Sequence, residues 1–379
     1  MPSSESKSGN PIAVVGGGVI GLAIAWRLAR AGRRVVVFER DRAGQGASRV
    51  AAGMIAAVAE AGFDDPDFVG FARASRERYP SFIEELQADA DMRVPFAATG
   101  SLVVALHRDD AEAMRRTYDY RVSIGLPVEW LTGTQARELE PALTPRVNAA
   151  MWIAADAVVE TRALIAALAR ACAQRGVEIH EGEAVEHIRT DGDKVRGVTT
   201  PAGETGADVV VLAAGAWSGT AGALPPDLAP PIRPVKGQLL HLKRTREFAL
   251  RNVVRAPRAY LLPAGPEYVI VGATQEEAGF DLVPTAGAIK DILAHAWEAV
   301  PSIYDLPFKA VEVGLRPASR DHRPVIGETR VRGLVMATGH FRHGILLAPA
   351  TADAVCQGIV NGRFGGEVAA FAPSRFNQV

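Results

Sequence analysis

The apolar positions near the start of the chain follow the pattern of a parallel β–α–β unit. A β-branched run at 12–15 leads into a glycine-rich turn, an Ala/Leu-rich stretch at 22–30 predicts a helix, and a second β-branched run ends at Glu39. Apolar residues recur at helical spacing in three later stretches, at 67–90, 161–175 and 285–300. Strands are predicted for three further apolar runs, at 177–180, 184–188 and 208–214. Together these elements indicate an α/β fold with a doubly wound parallel sheet.

The pattern changes near residue 97 and again near residue 229. Three elements follow the first change, namely a strand at 99–106, a charged helix to about residue 121 and a short helix at 134–140. We interpret the proline-rich stretch 229–234 as a linker, after which short runs predict the strands 238–242, 259–263, 267–272 and 309–313. The sequence thus predicts two domains. The first is Rossmann-like and comprises 11–94, 157–228 and 316–379, and the second is a mostly antiparallel α+β substrate domain comprising 95–156 and 229–315.

The glycine-rich turn carries the pattern G-x-G-x-x-G at Gly16, Gly18 and Gly21, between a predicted strand and a predicted helix. Such glycines permit a tight turn, close approach of the backbone to a pyrophosphate, and close packing of helix on strand. Glu39 follows Gly21 by 18 residues, near the position of the acid that binds ribose hydroxyls and disfavours a 2′-phosphate. A dinucleotide other than NADP is therefore expected, although the turn of an ordinary α/β unit could carry the same glycines.

Two further stretches favour a flavin dinucleotide. The small-residue loop at 40–54 would let the backbone lie along an extended ligand, whereas NAD enzymes usually enter a helix at once. The run 208–214 leads into Gly215, so its backbone can pass close under the same ligand at the carboxyl edge of a parallel sheet. A plain flexible loop and an ordinary turn are the alternatives for these two stretches.

Composition and charge exclude several classes of function. The 379 residues are 48% hydrophobic and 22% charged with a formal net charge of −1, so neither nucleic acid nor a membrane is an expected partner. Two cysteines, Cys172 and Cys356, are too few for a disulfide framework, and a cytoplasmic location is expected. His340 and His343 have no third ligand at a useful spacing, so no metal is expected.

Several short motifs occur in one order across nearly the whole chain, at 16–21, Glu39, 51–54, 214–217, 314–317 and 339–342. In these motifs the chain resembles the FAD-dependent D-amino-acid oxidase and sarcosine oxidase superfamily. The runs at 314–317 (Gly-Leu-Arg-Pro) and 340–351 are similar to those of the glycine oxidases of thiamine thiazole synthesis. The resemblance implies non-covalent FAD, because covalent relatives carry a cysteine near 314–316 and this chain has none there.

The resemblance also implies roles for individual residues. Arg316 would clamp the substrate carboxylate, the alternative being a structural ion pair, and the expected catalytic residues are Arg316, Tyr260, Arg342 and Met54. Arg49 and Val50 depart from the small or hydroxylated residues usual in the family. The residues expected to contact FAD are Gly16, Gly18, Val19, Ile20, Gly21, Glu39, Arg40, Ala47, Ser48, Ala52, Gly53, Met54, Val185, Ala214, Gly215, Trp217, Gly339, His340, Phe341, Arg342, His343, Gly344, Ile345 and Leu346.

The activity implied by the resemblance is oxidative deamination of glycine, sarcosine and small D-amino acids. Hydride equivalents pass from the substrate to FAD, the imine is hydrolysed, and dioxygen is reduced to hydrogen peroxide. The expected partners are a small amino acid and dioxygen, and a homo-oligomer is expected. Two alternatives stay open: a dehydrogenase that passes electrons to an acceptor other than oxygen, such as a quinone, and a flavin-bearing subunit of a larger complex.

Overall fold

The structure is a computed structural model that describes residues 9–60 and 65–376. Its helices begin and end close to the predicted positions, and several are closed by side-chain caps. Asp65 accepts a hydrogen bond from the Phe68 amide at the start of α3, and Glu160 caps α6 in the same way. The helices are α1 (Val19–Arg30), α2 (Ala47–Val50), α3 (Pro66–Ala90), α4 (Arg108–Ser123), α5 (Gly133–Leu139), α6 (Thr161–Gln174), α7 (Ala286–Ala299) and α8 (Gly344–Asn361).

The strands alternate with these helices in the first part of the chain and dominate the second. They are β1 (Ile12–Val15), β2 (Val35–Glu39), β3 (Met54–Ile55), β4 (Phe96–Ala97), β5 (Ser101–Ala105), β6 (Glu129–Thr132), β7 (Ala149–Ile153), β8 (Ala157–Val159), β9 (Glu178–Glu181), β10 (His187–Asp191), β11 (Lys194–Thr200), β12 (Gly203–Gly206), β13 (Val209–Leu212), β14 (Ile232–Lys243), β15 (Val253–Arg255), β16 (Tyr260–Ala264), β17 (Tyr268–Gly272), β18 (Phe308–Ser319), β19 (Val325–Glu328) and β20 (Leu334–Thr338).

A six-stranded sheet forms the first layer, with strand order β19-β20-β13-β1-β2-β9. All its pairings are parallel except that of the edge strand β19 with β20. Helices α1, α3, α6 and α8 share one apolar core with its strands, whereas residues of β10 and β11 pack on the other face. This arrangement confirms the predicted Rossmann-like sheet, in which ligands bind at the carboxyl ends of the strands.

An eight-stranded sheet forms the second layer, with strand order β18-β14-β17-β16-β15-β5-β7-β6. Its pairings are antiparallel apart from that of β15 with β5, which confirms the mostly antiparallel second sheet. The domain boundaries stay a prediction, and β18 continues without interruption across the expected boundary between residues 315 and 316. Within residues 9–60 and 65–376, no helix combines the length and apolarity needed to cross a membrane.

Two local expectations were wrong, and one hairpin was not predicted. The linker 229–234 ends earlier, because Ile232 already pairs with Ser319 at the start of β14. Residues 184–186 lie outside any strand, and β10 begins at His187. The hairpin of β11 and β12 was not predicted, because polar and glycine residues interrupt the apolar pattern of both strands, although much of β11 is buried.

Candidate active site

A cavity of about 890 Å³ lies where the carboxyl ends of β1, β13 and β20 meet the second sheet. This volume is near the upper end of the range of small-molecule sites, about 300–1,000 Å³. Strands β14, β16 and β18 contribute the wall on the side of the second sheet. The cavity therefore joins the two sheets at the edge where a Rossmann-like sheet binds its ligand.

The glycine-rich turn after β1 forms one end of this cavity. Gly16 has φ +107°, and a Cβ atom there would lie 2.5 Å from the Ala213 carbonyl oxygen. A Cβ atom at Gly21 would collide with the Gly16 carbonyl, so this glycine allows α1 to pack on the turn without lining the cavity itself. The Val19 amide donates to the Ser48 hydroxyl (3.0 Å), which brings the small-residue loop onto the start of α1.

Glu39 lies at the end of β2, as the sequence predicted. Its Oε2 accepts from the Gly17 amide at 2.7 Å, so the carboxylate is fixed beside the glycine-rich turn. Arg40 stacks on the Trp217 ring with its Cζ 4.0 Å from the ring centroid. Both side chains line the same cavity end as the turn, where a ribose and an adenine of a dinucleotide can be accommodated.

The cavity lining brings together every residue expected at FAD except Gly21 and Gly339. Gly339 has φ +72°, and a Cβ atom there would lie 3.0 Å from the Ile232 side chain, so it serves the turn after β20. Arg49, which departs from the family pattern, is outside the lining, and its guanidinium lies 3.5 Å from Glu312 Oε1.

These residues fit FAD. Backbone without Cβ atoms at Gly16 and Gly18, the amino end of α1 and a fixed carboxylate at Glu39 are the features that a dinucleotide needs. The segment 340–346, from the turn after β20 into α8, presents backbone and apolar side chains at the other end of the cavity. When bound, FAD supplies the electron acceptor, and the protein supplies its binding and orientation.

Arg316 on β18 and Tyr260 on β16 line the end of the cavity formed by the second sheet. Arg316 Nη1 donates to the Thr274 carbonyl (2.9 Å) and more weakly to the Lys236 carbonyl (3.4 Å). Burial lowers the pKa of Arg316 from its usual value, and the neighbouring Tyr260 partly offsets this effect. Within the part of the chain that the structure describes, no carboxylate lies within ion-pair distance of Arg316, so the structural ion pair was the wrong alternative.

Glu60 is a site residue that the sequence did not predict. It follows the apolar run 55–59 and forms ion pairs with Arg255 and, at 2.9 Å, with Arg342 Nε. Burial acts to raise the pKa of Glu60, but the positive charges around it outweigh burial and lower the pKa to about 2. The sequence signal that could have identified Glu60 is a lone acidic residue after an apolar run. Its partner Arg255 could not be identified in this way, because it lies 195 residues away on β15.

The two histidines of the segment after β20 are buried and neutral. Burial lowers the pKa of His340 to about 3 and that of His343 to about 4. His340 Nε2 lies 3.0 Å from the Thr351 hydroxyl, within hydrogen-bonding distance. Among residues 9–60 and 65–376, no group of His, Cys, Asp and Glu side chains is arranged to hold a metal ion.

The chain is similar to known proteins over most of its length. A family model described as FAD dependent oxidoreductase matches residues 11–357. Glycine oxidase from Geobacillus kaustophilus (strain HTA426) is 35% identical over 366 residues, which cover 96% of this chain and 96% of that protein.

Two solved structures extend the similarity to the fold. A crystal structure of glycine oxidase from Geobacillus kaustophilus matches with a TM-score of 0.91 and 35% identity, over 97% of this chain and 98% of that chain. Iminodiacetate oxidase from Chelativorans sp. BNC1 matches with a TM-score of 0.86 and 26% identity, over 96% and 98% of the two chains. The chain therefore belongs to the FAD dependent oxidoreductase family, and FAD is its cofactor.

Proposed function

We propose that this FAD-dependent amino-acid oxidase converts glycine, sarcosine and small D-amino acids to the imine and then the 2-oxo acid. The observation that carries the proposal is Arg316, a cation that lines the cavity and is held by carbonyl oxygens instead of a carboxylate. A guanidinium in this state can bind a substrate carboxylate through two parallel hydrogen bonds, which a lysine could not do.

The other residues at the end of the cavity formed by the second sheet are consistent with a small substrate. Tyr260 is partly buried, and its hydroxyl lies so close to Gly272 that a Cβ atom on Gly272 would be 2.5 Å away. Burial raises the pKa of Tyr260, so its hydroxyl keeps its proton and can donate to the substrate. With Arg316 and Tyr260 holding the carboxylate, the Cα–H bond can be oriented toward the segment 340–346, where the flavin ring is expected.

No strong base is required for this reaction if the substrate amine arrives neutral. The nitrogen lone pair would then assist the loss of hydride from Cα, for which bound FAD would supply the electron acceptor, and water would hydrolyse the imine. Glu60, His340 and His343 have pKa values of about 2, 3 and 4, so near neutral pH none of the three changes its protonation state. We therefore assign these residues to binding and positioning.

Dioxygen as electron acceptor and release of hydrogen peroxide are part of the proposal. The test is a peroxide-release screen of the purified holoenzyme over glycine, sarcosine, D-alanine and D-proline. Peroxide formed in step with substrate loss supports the oxidase. Flavin reduction by glycine without peroxide would indicate the dehydrogenase, and no flavin reduction by any of the four amines would contradict the proposal.

The alternative that the chain is a flavin-bearing subunit of a larger complex can be tested with the same purified protein. Size-exclusion chromatography of the isolated chain, followed by the oxidase assay on each peak, shows whether the chain acts without other proteins. We expect an active homo-oligomer. A role in thiamine thiazole synthesis and a cytoplasmic location stay predictions, which growth of a deletion strain without thiamine and cell fractionation would test.

A further inference from the structure

The segment 276–285 between β17 and α7, which we call the strap, directs a charged side chain inward and apolar side chains outward. Asp281 pairs with the ammonium of Lys236, whose side chain is 1% exposed. Phe280 and Leu282, on either side of Asp281, are 46% and 50% exposed. This orientation is the reverse of the usual one, in which charges face the solvent and apolar side chains face the core. The apolar side chains of the strap are therefore available to contact a ligand.

Strand β14 closes the base of the strap. The Lys236 amide donates to the Glu276 carbonyl, and the Glu276 amide donates to the Lys236 carbonyl, both at 2.9 Å. The buried side chain of Gln238 reaches both ends of the strap, since its Nε2 donates to Glu276 Oε1 (2.8 Å) and its Oε1 accepts from the Thr285 amide (2.9 Å). A loop whose two ends are held together in this way forms a compact unit.

Lys236 fixes the tip of the strap. Its Nζ donates to Asp281 Oδ2 at 2.5 Å and to the Val283 carbonyl at 2.6 Å. A buried ammonium is costly without such partners, and hydrogen bonds from a charged donor are strong. Leu282 lies between the two residues that Lys236 holds, so the direction of its side chain is set by these two bonds.

The tip of the strap faces the cavity end that Glu39 and Arg40 line. Leu282 is itself among the residues that line the cavity. Phe280 stacks on Trp217 with 5.5 Å between the ring centroids, and the Arg40 guanidinium lies over the same Trp217 ring. The strap therefore reaches from the second sheet to the cavity end that can accommodate the ribose and adenine of a dinucleotide.

We propose that the strap completes the FAD site at the adenosine half of the cofactor. Leu282 covers the adenosine with apolar surface, and Phe280 holds the strap on Trp217. Lys236 is a positioning residue, since it fixes the strap but does not line the cavity. This role concerns cofactor binding alone, so it is independent of the amine that the enzyme oxidises.

The first test measures the Kd of the apoprotein for FAD, from the change in flavin fluorescence on binding. In Leu282→Ala we expect this Kd to rise about tenfold, because burial of a leucine side chain is favourable by about that factor or more. Val283→Ala is the matched control, since Val283 is exposed on the same strap but does not line the cavity, and its Kd should equal that of the wild type. An unchanged Kd in Leu282→Ala would overturn the proposal.

The second test identifies the half of the cofactor that the strap covers. ADP contains the adenosine and the two phosphates of FAD but no flavin, and calorimetry gives its Kd for the apoprotein. Leu282→Ala should raise the Kd for ADP by the same factor as the Kd for FAD. A raised Kd for FAD with an unchanged Kd for ADP would place Leu282 at the flavin half and overturn the proposal.

The third test concerns Lys236. Lys236→Met removes the ammonium but keeps an unbranched side chain, so the strap loses its anchor and the Kd for FAD should rise about tenfold. Lys290→Met is the matched control, since Lys290 is exposed on α7, pairs with Asp291 and lies outside the cavity, and its Kd should stay at the wild-type value. In Lys236→Met combined with Leu282→Ala, the rise should stay well below the product of the two single rises, because both changes remove the same contact. The full product, or an unchanged Kd in Lys236→Met, would overturn the role of Lys236.

Discussion

Arg316 lies against Gly237, and the missing side chain at residue 237 leaves the space that the guanidinium occupies. A Cβ atom at this position would collide with Cζ and both terminal nitrogens of Arg316. The two residues belong to the neighbouring strands β14 and β18, and Thr274 holds Nη1 from a third side. The guanidinium therefore lies in a slot that backbone atoms define, which is the preorganisation that a carboxylate clamp needs.

Gly237→Ala should displace the Arg316 guanidinium, which we propose as the carboxylate clamp, and leave the fold intact. The atoms that the new methyl group meets are the far end of a flexible side chain, so Arg316 can give way without a backbone shift. Because a displacement of about 1 Å can cost about 100-fold in rate, we expect kcat/KM for glycine to fall by that order. Steady-state kinetics and flavin content of the purified variant check this expectation.

Gly287→Ala is the matched control for that substitution. Gly287 lies in α7, and a Cβ atom there would meet nothing within 4 Å. Its kinetics should equal those of the wild type. If Gly237→Ala kept wild-type kcat/KM, the position of the guanidinium would be unimportant for catalysis.

The flavin should be released by acid, because no cysteine is placed to hold it covalently. Neither Cys172 nor Cys356 is among the residues that line the cavity, and Cys172 is buried with its thiol directed to the Leu22 carbonyl. Burial also raises the pKa of Cys172 to about 12, so its reactive thiolate is scarce near neutral pH. Trichloroacetic acid should give a colourless pellet and a yellow supernatant, and a yellow pellet would contradict non-covalent binding.

The first β–α–β unit could be predicted from sequence because its determinants are local. Gly21 packs against the Gly16 carbonyl within the same turn, and Glu39 ends the adjacent parallel strand, where its carboxylate accepts from the Gly17 amide. The same holds for α6, where an apolar stripe and the cap Glu160 lie within one segment.

The rest of the site depends on pairing between distant strands. Glu60 meets Arg255 on β15, and β15 is held by its parallel pairing with β5, across more than 150 residues of sequence. Gly237 leaves space for the Arg316 side chain, and Gly272 leaves space for that of Tyr260. No local sequence pattern reveals either contact. Such contacts follow from register, and register between strands far apart in sequence is not readable from a single chain.

The pH dependence of kcat/KM should follow the substrate amine and not the protein. Protonated glycine has no lone pair to assist hydride loss, so kcat/KM should rise from neutral to alkaline pH. His340 and His343 are deprotonated above their lowered pKa values of about 3 and 4, and burial raises the pKa of Tyr260 above its usual value. These three groups therefore do not titrate between about pH 6 and 9, so the rise in kcat/KM is expected to reflect deprotonation of the substrate amine.

Two substrates of different basicity check that assignment. The hydroxyl group of D-serine makes its amine less basic than that of D-alanine, so the rise for D-serine should occur at lower pH. Steady-state kinetics across this range on both substrates give the midpoint of each rise. A common midpoint for the two, or a flat profile for glycine, would place the ionisation on the protein or argue against oxidation of a free amine.

Arg316→Met tests the clamp itself. If the guanidinium binds the substrate carboxylate in a water-poor pocket, its loss leaves that carboxylate unpaired, which costs about 2–5 kcal/mol. At about 1.36 kcal/mol per factor of ten, kcat/KM for glycine should fall roughly 30-fold to several-thousand-fold. Flavin content and thermal stability should stay near those of the wild type, because in the described part of the chain Arg316 is bound to carbonyl groups and forms no ion pair.

An amine without a carboxylate separates binding from structure in that variant. Such a substrate never uses Arg316, so its slower oxidation should change little, and Arg332→Met should leave both substrates unaffected because its side chain is remote from the cavity. The comparison requires kinetics on glycine and on a simple amine, with flavin absorbance recorded for each protein. Loss of FAD, or an equal loss of activity on both amines, would mean that Arg316 supports the fold and that the carboxylate binds elsewhere in the cavity.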